Sequence, residues 1–342
     1  MRTGIVRDER YMNHGTGFGH PESPKRLEVI YRMLSEPDLA DKFIDIPPRL
    51  ASVEELSMVH RLGYIDMLAQ TAGRPYTSLD PDTATTAESF EVARLAVGGL
   101  LNAIDAVLEK RVDNAFALVR PPGHHAEAAE AMGFCLFNNV ALGAMHAIKK
   151  RNLERVLIVD WDLHHGNGTQ HAFYESNQVL YFSTHQYPYY PGTGSLEEVG
   201  RGAGEGYTIN VPLRPGADDY QYLRIFRDIL KPVALHFRPE LVLVSAGFDI
   251  YKDDPLGGME VTPTGFGWLT KVLMEIAAHS CEGRLVMTLE GGYHLEGQKE
   301  GVRKVLLSML SEDKDVLPPE APQEDPLLKK VIAKIGVYWP VF

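Results

Sequence analysis

Four short segments of this chain gather side chains that bind metals and move protons. In Arg155–Gln170, RVLIVDWDLHHGNGTQ, an apolar run breaks into Asp160, Asp162, His164 and His165. Charge at the buried end of a strand must be paired or must bind a metal. Carboxylate with imidazole suits Zn²⁺ or Fe²⁺. Asp162 and His164 are two residues apart, so in extended backbone they face one side and can share one ion. Asp249, at the end of another apolar run, is a candidate third ligand. Three protein ligands leave a position open for water, the mark of a catalytic rather than a structural site. The competing reading is a satisfied Asp–His hydrogen-bond network, and the other three segments weigh against it.

Those segments repeat the design. AFALVRPPGHH ends in His124 and His125, LVLVSAGFDIYKDD carries Asp249, and LVMTLEGGYH carries Tyr293 after Gly291-Gly292. Adjacent imidazoles point in different directions and can divide the work, one staying cationic while the other takes a proton from water. Each needs a partner to fix its tautomer; Asp160 and Asn167 are the candidates. The glycines before Tyr293 let the phenol swing inward, where it can donate to a developing oxyanion. Phe134, in Gly133-Phe134-Cys135, and Tyr190, before Pro191-Gly192, could wall a slot for an aliphatic arm, or could be ordinary core aromatics. Cys135 reads as a small buried hydrophobe.

Each of the four segments begins as an apolar run of about five residues, the length of a strand buried on both faces. Between them lie helical patterns over Pro24–Ser35, Ser89–Lys110, Asn138–Lys150, Tyr220–Phe237 and Phe266–Ala278. Alternation of this kind predicts an α/β fold with a mostly parallel sheet between helices. In such sheets ligands bind at the carboxyl ends of the strands, where all four segments deliver their polar residues. Two long loops, Tyr11–Pro24 (with His14, His20 and Glu22) and Thr184–Gly206, are expected as rims or lids. We read one catalytic domain over residues 1–315, followed by a Pro-rich stretch, Val316–Pro326, and a C-terminal extension over 316–342 that packs on or near it.

The 342 residues carry a net charge of −12, which argues against nucleic acid as a partner, since phosphate binding needs a basic face. Two cysteines exclude a disulfide framework and fit a reducing compartment. The N-terminus has no apolar h-region, and no run reaches the roughly 18 apolar residues of a membrane span. A soluble, cytoplasmic protein that does not engage membranes is expected.

The segments RPPGHHA, MGFCLFNN, VDWDLHHGNGTQ, STHQYPYYPGTG, SAGFDIYKDDPLGG and EGGYH resemble the zinc-dependent histone deacetylase family. The likeness is to its bacterial and class II branch, which includes histone deacetylase-like and acetylpolyamine amidohydrolases, and it runs in order from about residue 3 to 310. It implies an arginase-like fold, an eight-stranded mostly parallel sheet sandwiched by helices. It matches Asp162, His164 and Asp249 to the zinc ligands, His125 to the general base and acid, and His124, backed by Asp160, to its electrostatic partner. Tyr293 matches the carbonyl-polarising phenol. Gly133, Phe134, Tyr190, Leu256 and Gly292 fall along the substrate path; Tyr190 stands where the second wall is usually Phe. Asn167 replaces the Asp of some branches behind His125, and a neutral amide stabilises imidazolium less. The family also binds K⁺; Asp160, Asp162, His164 and Ser183 match one such site, and Phe173 with Tyr207 part of another.

The implied activity is hydrolysis of the acetamide of an N-acetylated aliphatic amine, acetyl-lysine in protein or peptide, to acetate and amine. Fe²⁺ is the alternative ion. An acetylpolyamine is the alternative substrate: the neutral Leu256 weakens it, while Glu22, Asp82 and Glu127 stand as candidate rim carboxylates. A homo-oligomer could narrow the mouth. Two rivals of other kinds are an arginase-type ureohydrolase, which needs further Asp and His ligands for a second metal, and a catalytically silent acyl-amine binding module, which predicts loss of a ligand, the His pair or the Tyr.

Overall fold

The computed structural model describes residues 1–319 and 325–342, so 320–324 of the Pro-rich stretch lie outside the described residues. Eight strands form one all-parallel sheet: β1 (Thr3–Val6), β2 (Phe43–Asp45), β5 (Asn114–Ala117), β6 (Val156–Asp160), β7 (Val179–Gln186), β8 (Thr208–Leu213), β9 (Leu241–Ala246) and β10 (Leu285–Leu289). Their order is β2-β1-β5-β10-β9-β6-β7-β8. A separate antiparallel hairpin pairs β3 (Thr77–Ser78) with β4 (Ala84–Thr85). The inner strands are buried along their whole length. That is why they read as unbroken Val, Leu and Ile runs rather than as an alternation.

The helices cover both faces, and their ends follow local chemistry. Helix Asn139–Arg151 starts where the Asn138 side chain accepts the Ala141 N–H. It ends with Lys149, Lys150 and Arg151 in its last turn and Asn152 in the left-handed conformation, as the helix dipole and a left-handed cap favour. Helix Ser89–Leu108 packs against it and against β5. Helix Pro263–Ser280 packs on Leu295–Met309. The predicted helix Tyr220–Phe237 is continuous over 219–237, but Phe226–Leu230 widens into a π turn just before Pro232. A proline inside a helix lacks the N–H for the ordinary ladder. The predicted loop Thr184–Gly206 begins later than expected, because Thr184–Gln186 complete β7.

The tail joins the main core. In helix Pro326–Ile335 the side chains of Leu328, Val331 and Ile335 are buried. Beyond it Trp339 stacks edge-on against Tyr207, 5.4 Å between ring centroids, and donates its indole N–H to the Gly206 carbonyl at 2.8 Å. Among the described residues, no helix is long and apolar enough to cross a membrane.

Candidate active site and metal centre

The four segments singled out in the sequence leave the sheet from β5, β10, β9 and β6, its four central and mutually adjacent strands. Asp162 and His164 follow β6, and Asp249 follows β9. Ligand atoms of these three side chains all lie within 4.8 Å of one another. His164 Nδ1 is 3.2 Å from Asp162 Oδ1 and 3.1 Å from Asp249 Oδ2. Backbone amides aim the carboxylates: Leu163 N–H donates to Asp249 at 2.9 Å, and Gly291 N–H to Asp162 at 2.8 Å. Gly291 has to be glycine, because a Cβ there would collide with both carboxylates.

Two fully buried carboxylates on one imidazole are short of positive charge. Burial and the neighbouring Asp162 push the Asp249 carboxyl up to about 7. Burial opposes a charged His164, yet hydrogen bonds to Asp162 and Asp249 outweigh it and raise the imidazole to about 9. The two carboxylates thus favour positive charge at this position, a proton on His164 or a metal ion. A divalent ion would release that proton and neutralise both carboxylates; the residues fit such an ion.

The histidine pair after β5 is held from behind. Gly123 and His124 N–H donate to Glu290 Oε2 at 2.6 and 3.2 Å, and Glu290 Oε1 accepts from Ser245 Oγ at 3.0 Å. His124 Nδ1 donates to Asp160 Oδ2 at 3.0 Å, which also accepts from the Tyr181 hydroxyl at 3.1 Å. Burial works against a charged His124, but the carboxylates of Asp162, Asp160 and Glu290 hold it up at about 10. His125 Nδ1 lies 2.8 Å from Asn167 Oδ1. The Asn167 amide is oriented by donating to Glu127 Oε1 at 2.6 Å. That leaves its oxygen for the His125 N–H and turns the His125 Nε2 lone pair toward the cavity. Burial, then the charges of His124 and His164, push His125 well below its ordinary value.

The side chains open onto a cavity of about 210 Å³ lined by Asp82, His125, Gly133, Phe134, His164, Tyr189, Tyr190, Leu256 and Tyr293. Phe134 stands edge-on to Tyr293, with centroids 5.9 Å apart. Tyr190 stands edge-on to His125 at 5.1 Å and to His164 at 6.0 Å. Gly133, at φ +56°, lies so close to the His125 ring that a Cβ would strike it. The tyrosine loop is fastened by His165 Nδ1 to Thr193 Oγ1 at 2.7 Å, and by Gly194 and Ser195 N–H donating to Glu198. Tyr293 is placed by Asp254, which accepts its backbone N–H at 2.6 Å, and its ring lies under the Arg26 guanidinium, 5.1 Å away. Burial drives the Tyr293 phenol well above its usual range, so it is a neutral donor.

Other expected positions fall elsewhere. Gly292 is buried behind Tyr293, its carbonyl accepting from Arg26 at 2.7 Å, and does not line the cavity. Glu22 is not on the rim: it is fully buried and paired with Arg26 at 3.1 Å and Arg120 at 2.5 Å. Glu127 sits behind Asn167 rather than at the mouth; Asp82 does line it. Asp160 and Ser183 are register partners beside the carboxylate site, with Ser183 Oγ 2.9 Å from His185 Nδ1. Phe173 and Tyr207 lie away from that cavity; their carbonyls accept from Ser176 and Tyr181, each at 2.9 Å. Sequence reasoning missed Glu290, Tyr181, Tyr189 and Asp254. Glu290 and Tyr189 left a signal, being a carboxylate at the end of an apolar run and one of a tyrosine pair.

Residues 20–309 match the histone deacetylase domain family. The chain belongs to that family. A probable deacetylase of Archaeoglobus fulgidus is 41% identical over 299 residues, covering 87% of this chain and 83% of that protein. Histone deacetylase HDA1 of Candida albicans is 40% identical, covering 94% of this chain and 42% of its own length. Human histone deacetylase 9 is 39% identical, with 97% and 36% covered. This histone deacetylase-family chain thus spans less than half of those two eukaryotic relatives. The crystal structure of the HD domain of HDA15 superposes with a TM-score of 0.93 at 37% identity, covering 99% of this chain and 96% of that one. That likeness places the fold with the arginase-like deacetylase domains.

Proposed function

We propose that this chain is a zinc-dependent deacetylase that hydrolyses the acetamide of acetyl-lysine in a peptide or protein to acetate and free amine. The observation that carries the reading is the Asp162–His164–Asp249 set, whose His164 lines an aromatic-walled cavity together with His125 and Tyr293. Asp162, His164 and Asp249 would hold the ion. When bound there, zinc supplies Lewis acidity toward the carbonyl and acidifies water.

The side chains do the rest. Phe134 and Tyr190 enclose the aliphatic arm and exclude water. Neutral His125 takes a proton from the attacking water at Nε2. Tyr293 donates a hydrogen bond to the developing oxyanion, and cationic His124 stabilises it electrostatically. As the C–N bond breaks, His125 returns the proton to the leaving nitrogen, so one water is consumed per acetate and amine. Asp160 keeps His124 charged, and Asn167 keeps the His125 lone pair turned to the cavity.

The wider reading assigns residues 1–315 to the catalytic domain and 316–342 to an extension packed on it. It places K⁺ at Asp160, Asp162, His164 and Ser183, with Phe173 and Tyr207 near a second ion, and the protein in the cytoplasm. A silent binding module is disfavoured because the ligands, the histidine pair and Tyr293 are all present. A ureohydrolase is disfavoured because, among the described residues, one three-ligand group is found. Acetylpolyamine hydrolysis is the second reading, favoured by Asp82 at the mouth and opposed by Leu256 beside it.

Acetate release by the zinc-loaded protein, compared by kcat/KM on acetyl-lysine peptides and acetylated polyamines, tests these readings. Peptide preference supports the first and polyamine preference the second. No release from either sinks both.

A further inference from the structure

The loop Tyr11–Pro24 carries an aromatic side chain that the proposed reaction does not use. Phe18 is 111% exposed, at the tip of Gly17-Phe18-Gly19. Both glycines have positive φ, +102° and +77°, and nothing lies within 4 Å of where their Cβ atoms would stand. The tip therefore projects into solvent. Single exposed apolar residues are ordinary; the surroundings of this one set it apart.

The loop is fastened on both sides of the tip. Before it, His14 Nδ1 lies 2.8 Å from Ser89 Oγ, Gly15 N–H donates to Thr86 Oγ1 at 3.2 Å, and the Thr16 hydroxyl donates to the Glu22 carbonyl at 2.5 Å. After it, His20 stands edge-on to Phe134 with centroids 4.7 Å apart, and its Nε2 is 3.3 Å from the Asp82 carbonyl. Phe134 and Asp82 both line the catalytic cavity. Two residues of chain span at most about 7 Å, so Phe18 is tethered within that reach of the rim.

We propose that Phe18 determines sequence preference: it packs against an apolar residue of the polypeptide within two positions of the acylated lysine. This inference rests on the deacetylase reading above. A lysine side chain threaded between Phe134 and Tyr190 brings its own backbone down onto the rim, and neighbours one or two residues away fall at the distance where Phe18 is held. A capped acetyl-lysine or an acetylpolyamine has no side chain to offer there.

The test uses the zinc-loaded full chain and three substrates: a capped acetyl-lysine, an acetyl-lysine hexapeptide with Leu on both sides, and the same peptide with Ser. We expect kcat/KM to favour the Leu peptide by about tenfold, and Phe18→Ser to reduce that preference to about twofold or less while the capped substrate changes by less than about twofold. Phe18→Leu should retain most of the preference. A preference that is absent, or that survives Phe18→Ser, overturns the proposal, as does equal loss on the capped substrate in both variants. Anisotropy of fluorescein-labelled forms of the two peptides separates this inference from the catalytic one. Phe18-dependent binding without turnover would sink the deacetylase reading and keep this one. Binding indifferent to Phe18 would sink this one whatever the turnover.

Discussion

The rings of His124 and His125 lie 4.0 Å apart, yet each leans on a different kind of group. His124 leans on the Asp160 carboxylate, and His125 on the Asn167 amide. One position apart in sequence, they are driven in opposite directions, to about 10 and to well below 6.5. That separation suits one fixed cation and one proton acceptor.

Asn167→Asp should therefore raise the His125 pKa, because a charged neighbour stabilises imidazolium where an amide does not. His125 accepts a proton only when neutral, so raising its pKa narrows the active range from the acidic side. The acidic limb of kcat/KM against pH should move up by about one unit or more. An unchanged limb would remove His125 from the role of base.

Tyr293→Phe should leave metal content and melting temperature near those of the parent, since the backbone anchor to Asp254 does not involve the hydroxyl. The kcat should fall about 10²–10³-fold, the cost of one oxyanion donor. Steady-state acetate release measures it, and a loss below tenfold would exclude the phenol from the transition state.

Metal analysis of the purified protein should give one zinc per chain at the Asp162–His164–Asp249 set, and none in Asp249→Asn. Removing the ion with a chelator should lower the melting temperature, because ligand binding to the folded state alone adds to its stability. Equal melting with and without metal would mean that these residues do not hold it.

Acid stability should depend on Glu22. Arg120 and Arg26 overcome the burial penalty and hold its carboxyl down at about 2, against an ordinary value of 4.5. A depressed carboxyl stabilises the fold fully above 4.5 and loses that contribution as pH falls toward 2. His14 adds in the same direction: burial, then Arg120, holds it at about 4, so folding is penalised as pH falls below 6.5. Glu22→Gln leaves two buried guanidinium groups short of a counter-ion and should cost about 3–5 kcal/mol. Urea midpoints at pH 7 and pH 4 check both points: the variant should lose stability at pH 7 and show a smaller drop between the two pH values.

The central strands were legible because burial on both faces removes alternation and leaves a run that stops where the chemistry starts, as at Val159-Asp160. Asp162 and His164 were legible as a pair by type and spacing, although the chain bends there, beyond the end of β6, rather than continuing as extended strand. The partners of Asp160 and Asn167 were legible by type, since each histidine needs one. Glu22 was misread because its partners, Arg26 and Arg120, come from a helix and from a strand end almost a hundred residues on. A carboxylate in a polar loop carries no mark of such burial. Glu290 left a signal as the carboxylate closing an apolar run, but its partners, the backbone N–H groups of Gly123 and His124, are not marked in a sequence. The π turn at Phe226–Leu230 arises within a pattern that fits an ordinary helix.

The adjacency of β5, β10, β9 and β6 has a consequence for synthesis. In the sheet they are neighbours, but the last of them to be translated, β10, comes more than a hundred residues after β6. β10 lies between β5 and β9, so a nascent chain released before Leu289 would have a gap in the middle of its sheet and would lack Tyr293. Chains emerge at about 5–20 residues per second. For several seconds, then, the ribosome holds a chain whose histidine pair and three candidate ligands are already made, and whose sheet stays incomplete until its final strand is threaded between two already made.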